Sequence, residues 1–233
     1  VVKDVQSGAI LYDQKIDSQP ALMAADLAIV PSYGGSAAPE IVWLVTDPPT
    51  GRGNMFVQDA SSGVNLDSWP LPEGFLPQRM TVVRSFGSSG ASEVAILGLK
   101  MSNGNPQVLV MDPNTGVLLM SRTFPDKFHA RSFETVTDFA GTPADELAIL
   151  GRRSANLRTR LLVVDASSGQ ALTTTTVPQL RENPHDLAVV PDFVGSLAEE
   201  ILLLTTAVTD GNIRIYVKDA RGQSLGSFVV GEG

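Results

Sequence analysis

The sequence predicts an all-β protein, a β-propeller or a portion of one, built from four-stranded antiparallel blades. Three observations carry this. A Val-x-Asp signature recurs at Val2/Asp4, Val57/Asp59, Val110/Asp112, Val163/Asp165 and Val217/Asp219, with successive aspartates 55, 53, 53 and 54 residues apart. A fixed period of this size marks an array of supersecondary units. Each period holds four apolar runs of strand length separated by turn residues. One of the four runs is apolar at every position, which requires burial on both faces.

The third unit shows the elements in order. Val108–Met111 is strand A, the stretch 112–116 (Asp-Pro-Asn-Thr-Gly) is a turn, and Val117–Met120 is strand B. Phe133–Thr137 alternates as strand C, 138–145 is a polar turn, and Leu147–Leu150 is strand D. Strand A shows its facing in the last unit, where Ile213, Ile215 and Val217 alternate with Arg214, Tyr216 and Lys218. Strand D is the doubly buried one, at Ile41–Val45, Val94–Leu97, Leu147–Leu150 and Ile201–Leu204. Sheets that pack on neighbours from two sides, repeated radially, make a propeller. No window sustains a 3.6-residue apolar period, so helical repeats are not expected.

The chain reads as one domain over 1–233, with repeats near 1–54, 55–107, 108–160 and 161–212 and a partial copy at 213–233. The A–B hairpin occurs five times and the C–D hairpin four times. The unequal count suggests a portion of a longer array, or a unit that self-associates through its terminal strands, because an open array leaves sheet edges to be covered.

Composition narrows function. At 43% hydrophobic, 233 residues can bury a sizeable core. The net charge of −8 disfavours nucleic acid, whose phosphates an acidic surface repels. There is no cysteine, which removes disulfides, thiolate metal sites and Cys nucleophiles together. No run approaches the roughly 18 apolar residues that read as a membrane span. The chain starts at Val1 without a leader pattern, and we expect a mature or excised piece.

The recurrent residues have structural tasks. In Asp59–Gly63, Asp112–Gly116 and Asp165–Gly169 the Asp is expected to accept backbone N–H groups of its own turn, and the Gly to supply a positive φ. Asp4–Gly8 fits the same pattern, and the copy starting at Asp219 is one residue shorter. Tyr33, Phe86, Phe139 and Phe193 each lie seven residues before a strand-D glutamate, at Glu40, Glu93, Glu146 and Glu200. The aromatic is expected to plug the gap between blades and the glutamate to satisfy turn N–H groups.

These two elements carry a resemblance. The runs 110–116, 137–141 and 145–149, with 191–195 and 199–201 of the next unit, resemble the FG-GAP repeat of integrin-α-like propellers and their bacterial relatives. The resemblance covers essentially the whole chain. It implies a non-catalytic interaction module of an extracellular, cell-surface or periplasmic protein, with a protein or carbohydrate ligand on the loop face or in the central funnel. It also implies calcium, which the family often holds in the C–D turn. Calcium takes six to eight oxygens. Here the leading Asp is replaced by Ser32 and Ser85 in the first two units. Asp138, Asp145 and Glu146 remain in the third turn, and Asp192, Glu199 and Glu200 in the fourth. These six are the calcium candidates; otherwise no cofactor is expected. The turn also resembles that of quinoprotein-type propellers, which place a docking Trp soon after it. Trp43 and Trp69 are the only tryptophans and form no repeated pattern.

The remaining candidates are surface residues. Arg152, Arg153, Arg158 and Arg160 cluster at one D–A connection, suited to an acidic partner or to edge protection. His129 and His185 lie in the B–C connections of adjacent units. A polysaccharide-acting enzyme is the alternative function, with Arg79, His129, Arg131 and His185 ahead of strand C as residues that converge on a funnel. A third reading is a structural unit that assembles end to end.

Overall fold

A computed structural model describes residues 2–3, 10–12, 22–31, 39–47, 50–84, 86–87, 89–124, 128–137, 139–142, 144–177, 182–193, 195 and 199–231. Short β-branched and aliphatic runs broken by Gly, Pro and Asp turns form eighteen strands, with no helix among the described residues. The first hairpin, β1 (Val2–Lys3) with β2 (Ile10–Tyr12), stands alone as a two-stranded sheet.

The other sixteen strands make four antiparallel four-stranded sheets of one design. The first is β3 (Met23–Val30), β4 (Glu40–Asp47), β5 (Arg52–Asp59) and β6 (Asn65–Pro70). The second is β7 (Phe75–Val83), β8 (Glu93–Lys100), β9 (Asn105–Met111) and β10 (Leu118–Thr123). The third is β11 (Phe128–Val136), β12 (Glu146–Arg153), β13 (Thr159–Asp165) and β14 (Ala171–Thr176). The fourth is β15 (Glu182–Val190), β16 (Glu200–Ala207), β17 (Ile213–Asp219) and β18 (Ser224–Gly231). Each sheet therefore runs C-D-A-B, joining the C–D hairpin of one sequence unit to the A–B hairpin of the next. The five-to-four hairpin count resolves into four complete sheets plus the separate first hairpin.

Strands β3, β7, β11 and β15 pack on one another in series, so strand C is the inner edge of every sheet. An edge tolerates proline, and Pro77 and Pro184 sit there. Three apolar cores lie between successive sheets. Val42, Leu44 and Met55 meet Ile96 and Leu109 in the first. Leu97 and Val108 meet Phe133 and Ile149 in the second. Leu150 and Leu161 meet Leu187, Leu203 and Tyr216 in the third. Among the described residues no such core joins the fourth sheet to the first. The all-β propeller architecture expected from the sequence is what the chain adopts.

Strand C extends further toward its N-terminus than the sequence pattern indicates. Each copy carries a register shift at the same place, between Ala24 and Asp26, Pro77 and Arg79, Ala130 and Ser132, and Pro184 and Asp186. The extra residue breaks the alternation on which the pattern rests. Arg79, His129, Arg131 and His185 thus lie within strand C, not ahead of it.

Candidate functional site: a cationic cleft at one rim

The four bulges deliver four different side chains from one backbone position: Ala25, Gln78, Arg131 and His185. A bulge re-aims a side chain out of the sheet plane, and this is where a repeated frame presents unequal chemistry. Three of the four, Ala25, Gln78 and Arg131, line a cleft of about 630 Å³ that crosses the first three sheets at the rim of the D–A connections. Arg79, one residue past its bulge, joins them. Met23, Leu76, Pro77 and Met101 supply the apolar wall. Arg79 and Arg131 are solvent-exposed, and neither has an acidic partner among the described residues. Two uncompensated guanidinium groups in an acidic chain favour a carboxylate or phosphate ligand, which their planar fork can grip bidentately.

The other arginines lie on the same rim outside the cleft. Arg152, Arg153, Arg158 and Arg160 belong to the β12–β13 hairpin, whose tip is held by Leu157 N–H donating to Arg153 O and Arg153 N–H to Arg158 O. Arg152 donates to Leu157 O at 3.1 Å and to Asn183 Oδ1 at 2.6 Å, so it braces the hairpin against the fourth sheet. His129 stands across from Arg152 in the β11–β12 ladder. His185 pairs with Thr206 Oγ1 at 2.8 Å and is exposed. The structure gathers all these residues at one rim but does not bring the two histidines into one site.

The opposite end of the inner strands is acidic. Glu134, Asp186 and Glu199 line a second cleft of about 570 Å³. Crowding by protein, then the nearby Asp186 and Asp26, push the Glu134 carboxyl above the usual carboxylate range, although it remains open to solvent. The repeat explains the polarity: in the four sheets strand A ends on Asp59, Asp165 or Asp219 or is followed at once by Asp112, and strand D begins on Glu, all at this rim.

The carboxylates named for calcium have backbone partners. Glu146 accepts Phe139 N–H at 3.1 Å and Ala140 N–H at 3.3 Å. Glu200 accepts Phe193 N–H at 3.0 Å, and Glu93 does the same for Phe86 and Gly87. Asp145 and Glu199 reach across to the preceding sheet. Asp145 accepts Arg84 N–H at 2.7 Å, and Glu199 accepts Thr137 N–H at 2.7 Å. Asp192 accepts Gly195 N–H at 2.7 Å. Asp138 lies outside the described residues, as do Ser32, Tyr33 and Ser85. Among the described residues no three acidic or histidine side chains converge as a metal-binding group. No helix is long and apolar enough to cross a membrane.

Sequence reasoning named Arg79 and Arg131 but missed the cleft, because bulge positions leave no periodic trace. It also missed the inter-sheet ties. Trp69 Nε1 donates to Pro113 O of the next sheet's turn at 2.7 Å, and Met80 N–H donates to Asp26 Oδ2 at 2.9 Å.

No family model matches the chain, and no curated protein matches it. Solved structures similar to it include a propeller and polysaccharide lyases. The Dos1 propeller superposes with a TM-score of 0.55 at 18% identity, over 89% of this chain and 47% of that one. An exotype rhamnogalacturonan lyase, YesX, gives 0.59 at 15% identity, over 88% and 40%. A Bacillus licheniformis rhamnogalacturonan lyase gives 0.55 at 13%, over 89% and 51%. The chain spans about half or less of the length of each. At these identities the likeness establishes the fold.

Proposed function

We propose that this chain is a non-catalytic binding module, of an extracellular, cell-surface or periplasmic protein, that takes an anionic ligand in the cleft of Arg79 and Arg131. One observation carries the reading: two neighbouring sheets aim unpaired guanidinium groups into one cleft while the chain as a whole carries −8. A cleft lined by one sign of charge concentrates ligands of the other. The Asp-turn and aromatic–Glu elements of FG-GAP kind support an interaction role, and the ligand is a protein or an acidic carbohydrate. The test is titration with two probes, oligogalacturonate and a poly-glutamate peptide. Arg79→Gln combined with Arg131→Gln is expected to weaken binding of the preferred probe at least about tenfold, the scale of one lost charge-assisted contact. Binding that survives the double substitution removes this site from the reading.

A second reading is favoured by one further observation. His185 occupies in the fourth sheet the bulge position that Arg131 holds in the third, which sets a base and a cation at equivalent places. Together with the likeness to rhamnogalacturonan lyases, this supports a polysaccharide-acting enzyme. Release of shorter chains from rhamnogalacturonan, abolished by His185→Ala or Arg131→Ala, would replace the binding module with the enzyme.

A further inference from the structure

The tip of the β12–β13 hairpin departs from the rule that the other three sheets follow. Each D–A connection closes with one residue in the left-handed region, whose N–H donates to the carbonyl four residues back: Gly51 to Asp47, Gly104 to Lys100, Leu157 to Arg153 and Gly211 to Ala207. Three copies use glycine, at φ of +65°, +69° and +72°, and the third sheet uses Leu157 at +56°. A leucine is strained there, because its Cβ crowds the following carbonyl oxygen. Burial does not offset the strain: the side chain is 44% exposed and belongs to none of the three apolar cores. The residue is nonetheless held on both sides, by its N–H bond to Arg153 O and by Arg152 Nε, which donates to Leu157 O at 3.1 Å. A strained apolar residue that no core takes up points to a contact outside the molecule.

The setting defines the partner. Residues 151–160 hold four arginines and no acid. Arg153 lies across the hairpin from Arg158, and Arg160 lies two residues beyond, so these three project from one face beside the leucine. Arg152 leaves from the other face, where it meets Asn183. The flanking hairpins add apolar tips of their own. Met101 in the second sheet and Val208 in the fourth are 55% and 50% exposed, each the residue directly after strand D. Three adjacent hairpins at the cationic rim thus each present one separate apolar side chain. Separate apolar points among cations match a flat partner that is anionic at its surface and apolar just beneath. A peptide would instead need a continuous groove or a sheet edge to seat its side chains.

We propose that this rim docks on an anionic lipid bilayer, with Leu157 entering the headgroup boundary and Arg153, Arg158 and Arg160 meeting lipid phosphates. Interfacial binding of this kind sums apolar burial and attraction to anionic headgroups. The planar guanidinium suits phosphate. The acidic rim at the opposite end is repelled by the same surface, which fixes the orientation of the chain.

Co-sedimentation with vesicles tests the proposal, and every variant leaves Arg79 and Arg131 of the cleft in place. The unsubstituted chain should pellet with an equal mixture of phosphatidylcholine and phosphatidylglycerol, not with phosphatidylcholine alone, and high salt should release it. Leu157→Gly should weaken this binding about tenfold, the scale of one apolar side chain returned to water. The same variant should melt at a higher temperature, because glycine relieves the left-handed strain. Binding and stability moving in opposite directions separates an external contact from a structural role. Arg158→Gln combined with Arg160→Gln should weaken binding by about tenfold or more. No pelleting with the anionic mixture, equal pelleting with phosphatidylcholine alone, or full binding by either variant would each overturn the proposal. So would a Leu157→Gly melting temperature no higher than the parent's, which would give the leucine a structural task. Capture of the chain by a poly-glutamate peptide but not by anionic vesicles would also overturn it, and would assign the rim to an acidic protein segment.

Discussion

Glu182 and Arg214 meet at 2.8 Å inside the interface between the third and fourth sheets, at the position where the second and third sheets carry a phenylalanine. There Phe75 covers Gly98 and Phe128 covers Gly151, so closely that a Cβ on either glycine would fall 2.5 or 2.6 Å from the ring. In the fourth sheet the phenylalanine is replaced by Glu182 and the glycine by Thr205. Glu182 is fully buried and accepts from Thr205 Oγ1 at 2.6 Å, from Arg214 and from Tyr216 OH at 3.0 Å. Three donors satisfy a carboxylate that would otherwise be intolerable there.

Removing one member should therefore cost far more than the pair contributes. Glu182→Ala takes from Arg214 its buried carboxylate partner, and a loss of about 3–5 kcal/mol is expected in urea unfolding. Restoring the apolar design with Glu182→Phe, Thr205→Gly and Arg214→Gln together should recover most of that loss, since well-packed apolar replacements of buried ion pairs are commonly neutral. A triple variant no more stable than Glu182→Ala would mean the polar network is itself required.

The same network predicts an alkaline transition. Burial, then the hydrogen bond to Glu182, raise the Tyr216 hydroxyl from 10.0 to about 12. A raised folded-state value means the native state holds its proton more tightly than the unfolded chain does. The associated stability is complete below about pH 10 and is lost as pH rises toward about 12. Urea midpoints followed across this window should fall for the unsubstituted chain, and the part due to this group should vanish in Tyr216→Phe. At the acid end Asp59 behaves oppositely. The Ser61 and Ser62 hydroxyls and the Ser62 N–H hold its carboxyl down to about 2, so its contribution is lost as pH falls from 3.8 toward that value.

Much of the architecture was legible in the chain because the repeat is dictated by local chemistry. The Asp-turn works as the residues suggest: Asp59 accepts Ser61 and Ser62 N–H, Asp112 accepts Asn114 N–H, and the turn glycines have positive φ. Three of the strand-D glutamates, Glu93, Glu146 and Glu200, satisfy turn N–H groups as expected, while the turn before Glu40 lies outside the described residues. What escaped depends on contacts between residues far apart in sequence. Asp145 and Glu199 precede those glutamates and look like part of the same acidic turn, yet each ties down the preceding sheet. Trp69 looks isolated because only one inter-sheet junction uses it. The cleft escaped because its arginines sit at or beside bulges, where the extra residue breaks the alternation that the hydrophobic pattern relies on.

Trp69 makes one of the turn glycines unusual. Gly116 has φ +71° and lies so close beneath the indole that a Cβ would be 2.4 Å from Trp69. Gly141 has a similar φ of +73° with nothing within 4 Å of a Cβ. Gly141→Ala should cost about 1–2 kcal/mol, the strain of a left-handed alanine. Gly116→Ala adds a clash with a rigid aromatic, which typically contributes a further ~1–3 kcal/mol. The difference between the two melting temperatures measures the packing alone. Equal destabilisation would show that the indole can move aside without loss, and Trp69→Ala in the Gly116→Ala background would then bring no relief.

The carboxylates of the third turn decide what a chelator does. Glu146 is fully buried and both its oxygens accept backbone N–H groups, while Asp145 is committed to the Arg84 N–H and the Arg84 guanidinium. A cation would have to replace these donors rather than fill an idle cage. We therefore expect that chelation leaves the melting temperature unchanged, because only a ligand of the native state stabilises it. Glu146→Gln, by contrast, should lower stability by about 1–3 kcal/mol, since a neutral amide offers one acceptor in place of two charged ones. A melting temperature that drops on chelation and recovers with added calcium would place the ion in this turn and reassign Glu146 from amide acceptor to ligand.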